Sequence, residues 1–393
     1  MNNRILIFLL ALGAFLAGTA ELVVVGVVDL IASDLRVSRG MSGQLVTVFS
    51  IAFAAGSPIV ISLTSGMNRK RLMLATLFFS IAGNLLAWLS RDIVPLMLSR
   101  VILGVTAGVF TVIAFTTAAN LSAPEKRGSA IGSVHVGFSG SLVIGVPLGI
   151  YIAGHWGWES IFGLLAVANA VIALLMVKLL PRMPGEAAVP LRAQAAMMKQ
   201  GKVLGGLAIT FLCVFGYSIC YTFLAPYLQQ LARLDLKTVS WLLLLMGICG
   251  MLGSRFGGYG TDKWGAKKLL LGVLAVHAVV LLLSPLLATT LPGAVVLIVV
   301  WGISAWATVP AIQYDLISLV PESAGIAVSV NTSVFQFGIA LGAAAGGVVT
   351  ERLAVGHVGW IGGIVVFAAL LAAAASFSAR GRSEGSPALR PNP

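Results

Sequence analysis

Two carboxylates eight residues apart, Glu21 and Asp29, lie within one apolar stretch running from Ile5 to Ile31. Such a stretch is long enough to cross a bilayer, because ~20 apolar residues at ~1.5 Å each span the ~30 Å hydrocarbon core. A carboxylate at that depth costs roughly 3 kcal/mol or more unless it is paired, protonated or facing water. Eight residues advance a helix by ~12 Å and turn it by roughly 80°, so both acids can line one cavity at different depths. Withdrawal from water disfavours the ionised form of a carboxyl group. An acid that is occluded and then exposed on the other side can therefore carry a proton across. Competition between that proton and a cationic or polar molecule for one site is enough to exchange one for the other. Glu21 is the candidate carrier; the alternative is a neutral acid satisfied by a neighbouring helix. Asp29 reads either as a second carboxylate on the proton path or as the marker of the outer helix end beside Asp34. Arg100 is the only base assigned neither to a cytoplasmic nor to an outer segment. It needs an acidic or carbonyl partner, with Glu21 and Asp29 as candidates, unless it snorkels to the interface from a helix end.

The elements that must position these groups follow from composition. The chain of 393 residues is 59% hydrophobic and 10% charged, against ~25% charged in soluble domains. Apolar runs follow one another from end to end, which means an all-α polytopic membrane protein. Twelve spans are expected at roughly 5–31, 42–65, 72–90, 94–118, 129–153, 158–180, 203–230, 238–260, 268–287, 293–318, 326–350 and 358–378. The first run is too long for a cleaved signal peptide and has no small-residue cleavage pattern after it. With the N-terminus inside, eighteen basic residues, Arg255 among them, fall in cytoplasmic segments and six in outer ones. The net charge of +12 therefore reports topology rather than nucleic-acid binding, and both termini are expected in the cytoplasm of a cell inner membrane. Cys213, Cys220 and Cys249 sit in apolar runs and read as packing residues, not as a disulfide or metal framework.

The polar segment 181–202 reads as a cytoplasmic linker between six-span bundles at 1–180 and 203–378, with 379–393 a disordered tail. The halves repeat at an offset of 197 residues: Ser65, Lys70, Arg71 and Leu72 fall on Asp262, Lys267, Lys268 and Leu269. Pro124-Glu125 and Gly128 fall on Pro321-Glu322 and Gly325, and Gly145 and Gly149 fall on Gly342 and Gly346. Parallel six-helix repeats are the organisation of one large class of secondary transporters. Glycines and the proline in Gly145-x-Pro147-x-Gly149 suit close helix packing that must also rock. In the second half, Tyr217, Tyr221, Gln313, Asn331 and Gln336 offer hydrogen bonds and aromatic faces to a central cavity, and Asp315 is expected to be solvated at a helix end. His135 and His277 are read as hydrogen-bonded packing.

Several motifs resemble the major facilitator superfamily, specifically its twelve-helix drug:proton antiporter branch. Thr19-Ala20-Glu21 looks like that branch's first-helix motif, Arg100-x-x-x-Gly104-x-x-x-Gly108 like its fourth-helix motif, and Gly137 to Gly149 like the fifth-helix antiport motif. Gly258 to Lys268, with Asp262 and Lys263, looks like the superfamily's cytoplasmic loop motif. The resemblance implies two pseudo-symmetric six-helix bundles, proton coupling through Glu21, Asp29 and Arg100, and gating by Asp262, Lys263, Gly145, Pro147 and Gly149. There are departures: Ser65 stands where the loop motif expects aspartate, and Glu159 replaces the arginine of a Gly-Trp-Arg motif.

The expected function is proton-coupled export of small lipophilic or drug-like molecules. The alternatives are efflux of a metabolite such as a sugar or purine nucleoside, uptake by symport, or a non-transporting receptor. No phosphate-binding Gly-x-x-x-x-Gly-Lys-Ser/Thr and no His-Glu-x-x-His motif occurs in the chain, so neither ATP-driven transport nor an enzyme is expected. The expected partners are a small-molecule substrate, protons and the lipid bilayer, without cofactor, metal or nucleic acid. A monomer is expected.

Overall fold

The computed structural model describes residues 3–37, 39–181, 183, 196 and 199–385, without side chains at 29, 39, 40, 236 and 381–385. The first half contributes α1 (Asn3–Asp34), α2 (Arg39–Leu63), α3 (Arg69–Trp88), α4 (Ile93–Asn120), α5 (127–156) and α6 (Glu159–Leu179). The second contributes α7 (Gly201–Tyr221), α8 (Leu236–Trp264), α9 (Ala266–Leu282), α10 (Leu291–Leu319), α11 (Ala324–Arg352) and α12 (Val358–Gly385). Eleven helices among the described residues are long and apolar enough to cross a membrane. The twelfth, α9, is extended by one further turn at Ser284–Leu287. Large apolar side chains such as Phe8, Leu63, Phe78 and Leu174 cover the outside, as a surface solvated by lipid requires.

Helix starts carry the repeat into three dimensions. α2, α3 and α5 begin at 39, 69 and 127, and α8, α9 and α11 at 236, 266 and 324, each 197 residues later. Asn68 caps α3 by accepting from Lys70 and Arg71 N–H, and Asp92 caps α4 through Val94 N–H, satisfying donors that a helix N-terminus leaves open. One apolar core is built from α1–α6, with a few residues around Ile317 and Ile326 added from the second half; the other is built from α7–α12.

The ends of the chain mark one face of the molecule. Asn3 Nδ2 donates to Leu121 O beyond the end of α4, and Arg380 Nη2 on α12 donates to Lys202 O at the start of α7. This is the terminal face; its opposite is the far face. Arg380 also makes an ion pair with Asp315 on α10, with Nη1 at 2.9 and 2.8 Å from the two carboxylate oxygens. Asp315 is therefore largely buried and paired rather than solvated, because α12 continues past residue 378 and brings Arg380 across it. Arg380→Ala leaves this carboxylate without its partner. The expected loss is about 3 kcal/mol, read as a lower thermal midpoint in detergent. The residues 386–393 of the expected tail, and most of the expected linker, lie outside the described residues.

Two further local features differ from the expectation. α5 is not one uniform helix: Arg127–Gly140 passes through a widened π turn, Ser141–Gly145, into Val146–Trp156. Pro147 has no N–H to offer the carbonyl four residues before it, and a wider turn accommodates that loss. Glu159, which had no account in the sequence, occupies the first turn of α6, where a negative charge faces the positive end of the helix dipole.

Candidate functional site

Arg100 is fully buried on α4 and is held by carbonyls, not carboxylates. Its Nη1 donates to Ala20 O at 2.6 Å, its Nη2 to Glu21 O at 3.2 Å and its Nε to Leu45 O at 3.1 Å. The guanidinium also lies 4.3 Å from the centre of the Phe49 ring. Four helix-borne contacts thus tie α4 to α1 and α2 at the level of Glu21, and the planar fork explains why arginine is used. The expected ion pair with Glu21 is not formed among the described residues, although one partner class named for Arg100, a carbonyl, is present. Arg100→Ala is expected to cost about 3 kcal/mol through the lost bonds and the cavity left behind. Arg100→Lys should recover less than half of it, since an ammonium cannot reach three carbonyls on two helices. Thermal unfolding in detergent reads both.

The Glu21 carboxyl group points away from this clamp into a cavity of about 270 Å³ between the two halves. Oε1 accepts from Gln336 Nε2 on α11 at 3.2 Å, so the acid of one half touches an amide of the other. Oε2 is buried without a hydrogen-bond partner, and so is Gln313 Oε1 on α10. Both residues line the same cavity. A buried unsatisfied acceptor is costly, so the two atoms mark where a bound molecule carrying donors, or a proton on Glu21, would be stabilised.

Tyr217 and Tyr221, stacked with ring centres 5.0 Å apart, form part of the α7 wall. Asn331 is not in the lining; it accepts from Thr210 Oγ1 at 2.6 Å and holds α11 to α7. The aromatic surface was expected from the second half only. Phe53, Phe115 and Phe138 bring it from the first half as well, facing Trp306 and Phe335. Their sequence signal was absent, because an aromatic in an apolar helix reads the same whether it meets lipid, core or cavity. His135 and His277 both line the cavity while also being packed. His135 Nδ1 is 3.1 Å from Ser254 Oγ across the halves and its ring stacks on Phe115; His277 Nε2 accepts from Trp301 Nε1 at 3.0 Å. The side chain of Asp29 lies outside the described residues, and only its backbone, within α1, is placed.

The residues singled out for gating occupy two places. Gly145 and Gly149 face α1, where a Cβ would collide with Thr19 and Val23, the residues flanking Glu21 on its helix. Pro147 is exposed on the opposite side of that turn. Asp262, at the end of α8, reaches into the other half and accepts from Gly128 N–H at 2.7 Å, Ser129 N–H at 2.8 Å and the Ser129 hydroxyl. It thereby caps the first turn of α5. Lys263 plays no part in this contact; it is exposed beside the rings of Tyr259 and Trp264. Backbones meet beneath the latch, where a Cβ on Gly128 would fall 2.6 Å from Gly258 O. Ser333 Oγ donates to Ala54 O on the second seam, between α11 and α2. These crossings lie between the terminal face and the cavity.

The comparisons agree with this architecture. The family model described as Major Facilitator Superfamily matches residues 10–343. The chain is 39% identical over 380 residues to the "uncharacterized MFS-type transporter YbcL" of Bacillus subtilis, covering 97% of each. It is 30% identical over 363 residues to the "inner membrane transport protein YdhP" of Escherichia coli K12, covering 92% of this chain and 93% of the relative. Among solved structures, the human organic anion transporter TETRAN superposes with a TM-score of 0.77 at 16% identity, covering 95% of this chain and 100% of that one.

Proposed function

The chain belongs to the major facilitator superfamily, and from that premise we propose that it is a proton-coupled exporter of small lipophilic molecules bearing a cationic or hydrogen-bond-donating group. It is a transporter of this superfamily and not an enzyme. The observation that carries the finer reading is the environment of Glu21. It is the one carboxylate among the described cavity-lining residues, whose other titratable side chains are two histidines, two tyrosines and a cysteine. One of its oxygens bridges to the other half and the other is unsatisfied. A proton on Glu21 and a cationic or donor group of a substrate would satisfy the same oxygen, so each displaces the other. The aromatic walls favour lipophilic or weakly cationic molecules over anions.

Alternating access follows from the seams. With Asp262 seated on α5 and the halves in contact up to the cavity, the terminal face is closed. Rocking of one bundle on the other would break the latch and the Glu21–Gln336 bridge together, coupling protonation to the direction of opening. The excess of basic residues on the terminal side supports a cytoplasmic position for that face by the positive-inside rule, so the latch would close the cavity toward the cytoplasm.

The test is uptake into inverted membrane vesicles under an imposed pH gradient, with a cationic dye, a neutral antibiotic and a nucleoside as substrates. Gradient-dependent accumulation of the dye is the expected result. Accumulation of the nucleoside alone would replace the substrate class and keep the coupling. Uptake indifferent to the gradient would end the proton-coupled reading.

A further inference from the structure

A second, larger concavity of about 930 Å³ lies outside the central cavity, between the first half of α1, the start of α5 and the terminal-side half of α8. Its floor is apolar, with Phe8, Phe15, Ile144 and Met251 among the lining residues, and its charged lining residues are Arg4, Lys126 and Arg255, without an acid. Arg255, inside the expected span 238–260 yet counted among the cytoplasmic-side bases, lies within α8, nine residues before Trp264, which is about 13 Å of helix. It sits one turn deeper than Tyr259, whose exposed ring on the same helix marks the membrane interface as tyrosine and tryptophan do. Arg255 is exposed and has no hydrogen-bond or ion-pair partner among the described residues. An unpartnered guanidinium below the interface is costly unless an anion reaches it.

We propose that this groove binds one phospholipid with an anionic headgroup, drawn from the leaflet at the terminal face. The phosphate lies among Arg255, Lys126 and Arg4, and an acyl chain lies along the apolar floor. Charge complementarity argues for this occupant over a zwitterionic lipid, because Arg255 and Lys126 stand at the mouth beside Arg4 and no carboxylate is among the described lining residues. A peptide or soluble anion is a poorer fit, since the floor is lined by residues at membrane depth. Lys126 and Arg4 belong to the first half and Arg255 to the second, so one phosphate bridges the seam that Asp262 closes.

The experiment reconstitutes the full chain in bilayers of equal parts phosphatidylglycerol and phosphatidylcholine, extracts it gently, and counts retained lipids by native mass spectrometry. The expected result is one retained phosphatidylglycerol, preferred about tenfold over phosphatidylcholine. Arg255→Gln and Lys126→Gln should each lower that preference about fivefold, while Arg91→Gln at the far face leaves it unchanged. Equal retention of the two lipids would overturn the proposal. So would a preference untouched by both substitutions, or displacement of the lipid by millimolar glycerol phosphate, which would make the site one for a soluble anion. The readout is independent of any transported substrate, so it stands or falls apart from the exporter reading.

Discussion

Glu21→Gln is expected to abolish gradient-driven accumulation, by about 100-fold or more, while the protein still folds and still exchanges substrate down its own gradient. The substitution keeps size and shape, and an amide oxygen can still accept from Gln336 Nε2, as Glu21 Oε1 does at 3.2 Å. The stability change should stay within about 1 kcal/mol, the worth of one hydrogen bond. What is lost is the ability to bind and release a proton. A neutral amide resembles the protonated acid at every stage, so the bundle no longer needs a proton to change state, and uphill movement loses its drive. Substrate counterflow, which needs no proton, should survive in vesicles. A folded Glu21→Gln protein that accumulates substrate as the wild type does would show that the acid is structural. Loss of counterflow together with uphill transport would show instead that Glu21 is needed for substrate binding itself.

How far the sequence reached depended on whether a residue's environment is written in its own helix. The twelve helices were legible because hydropathy and length are local properties. Their boundaries shifted by a few residues where a cap residue such as Asn68, or a late basic residue such as Arg380, extends or ends the helix. Intramembrane charge was equally legible: Glu21 and Arg100 stood out because each is costly alone. Their partners were not. Arg100 uses the carbonyls of Ala20, Glu21 and Leu45, and backbone acceptors carry no sequence signature. Gln336 and Gln313 were found because polar groups are rare at that depth, whereas Asn331, equally rare, turned out to bond Thr210. Polarity alone cannot say whether a side chain faces a cavity or a neighbouring helix. Arg255 shows how a count of charge by side hides depth: it was numbered with the cytoplasmic bases although the expected span 238–260 contains it, and the helix runs well past it.

The missing aspartate at Ser65 yields the second large effect. Asp262→Ala is expected to unlatch the terminal face, and Ser65→Asp to latch it twice. Asp262 accepts two backbone N–H groups and one hydroxyl at the start of α5, where the helix dipole adds to the attraction of a negative charge. Opening returns the carboxylate and its donors to water, so the net worth of the latch is taken as that of one charge-assisted bond, roughly 1.5–3 kcal/mol. Losing the group should therefore shift the closed–open equilibrium at this face by about 10- to 100-fold. The seam can be read with Ser254→Cys in a chain whose three native cysteines are serines, because Ser254 is fully buried where α8 meets α5. Maleimide labelling from the terminal face should rise by that factor in Asp262→Ala. The repeat places Ser65 opposite the start of α11 as Asp262 stands opposite α5, so Ser65→Asp supplies the second carboxylate to an equivalent helix start. Labelling should then fall below wild type and transport should slow, because every cycle must break two latches instead of one. A single acid latch makes the two seams unequal: the α5–α8 seam carries the charge, while the α2–α11 seam meets through Ser333 and Ala54. If labelling is unchanged in both variants, the glycine contacts beneath the latch, not the carboxylate, hold the face shut.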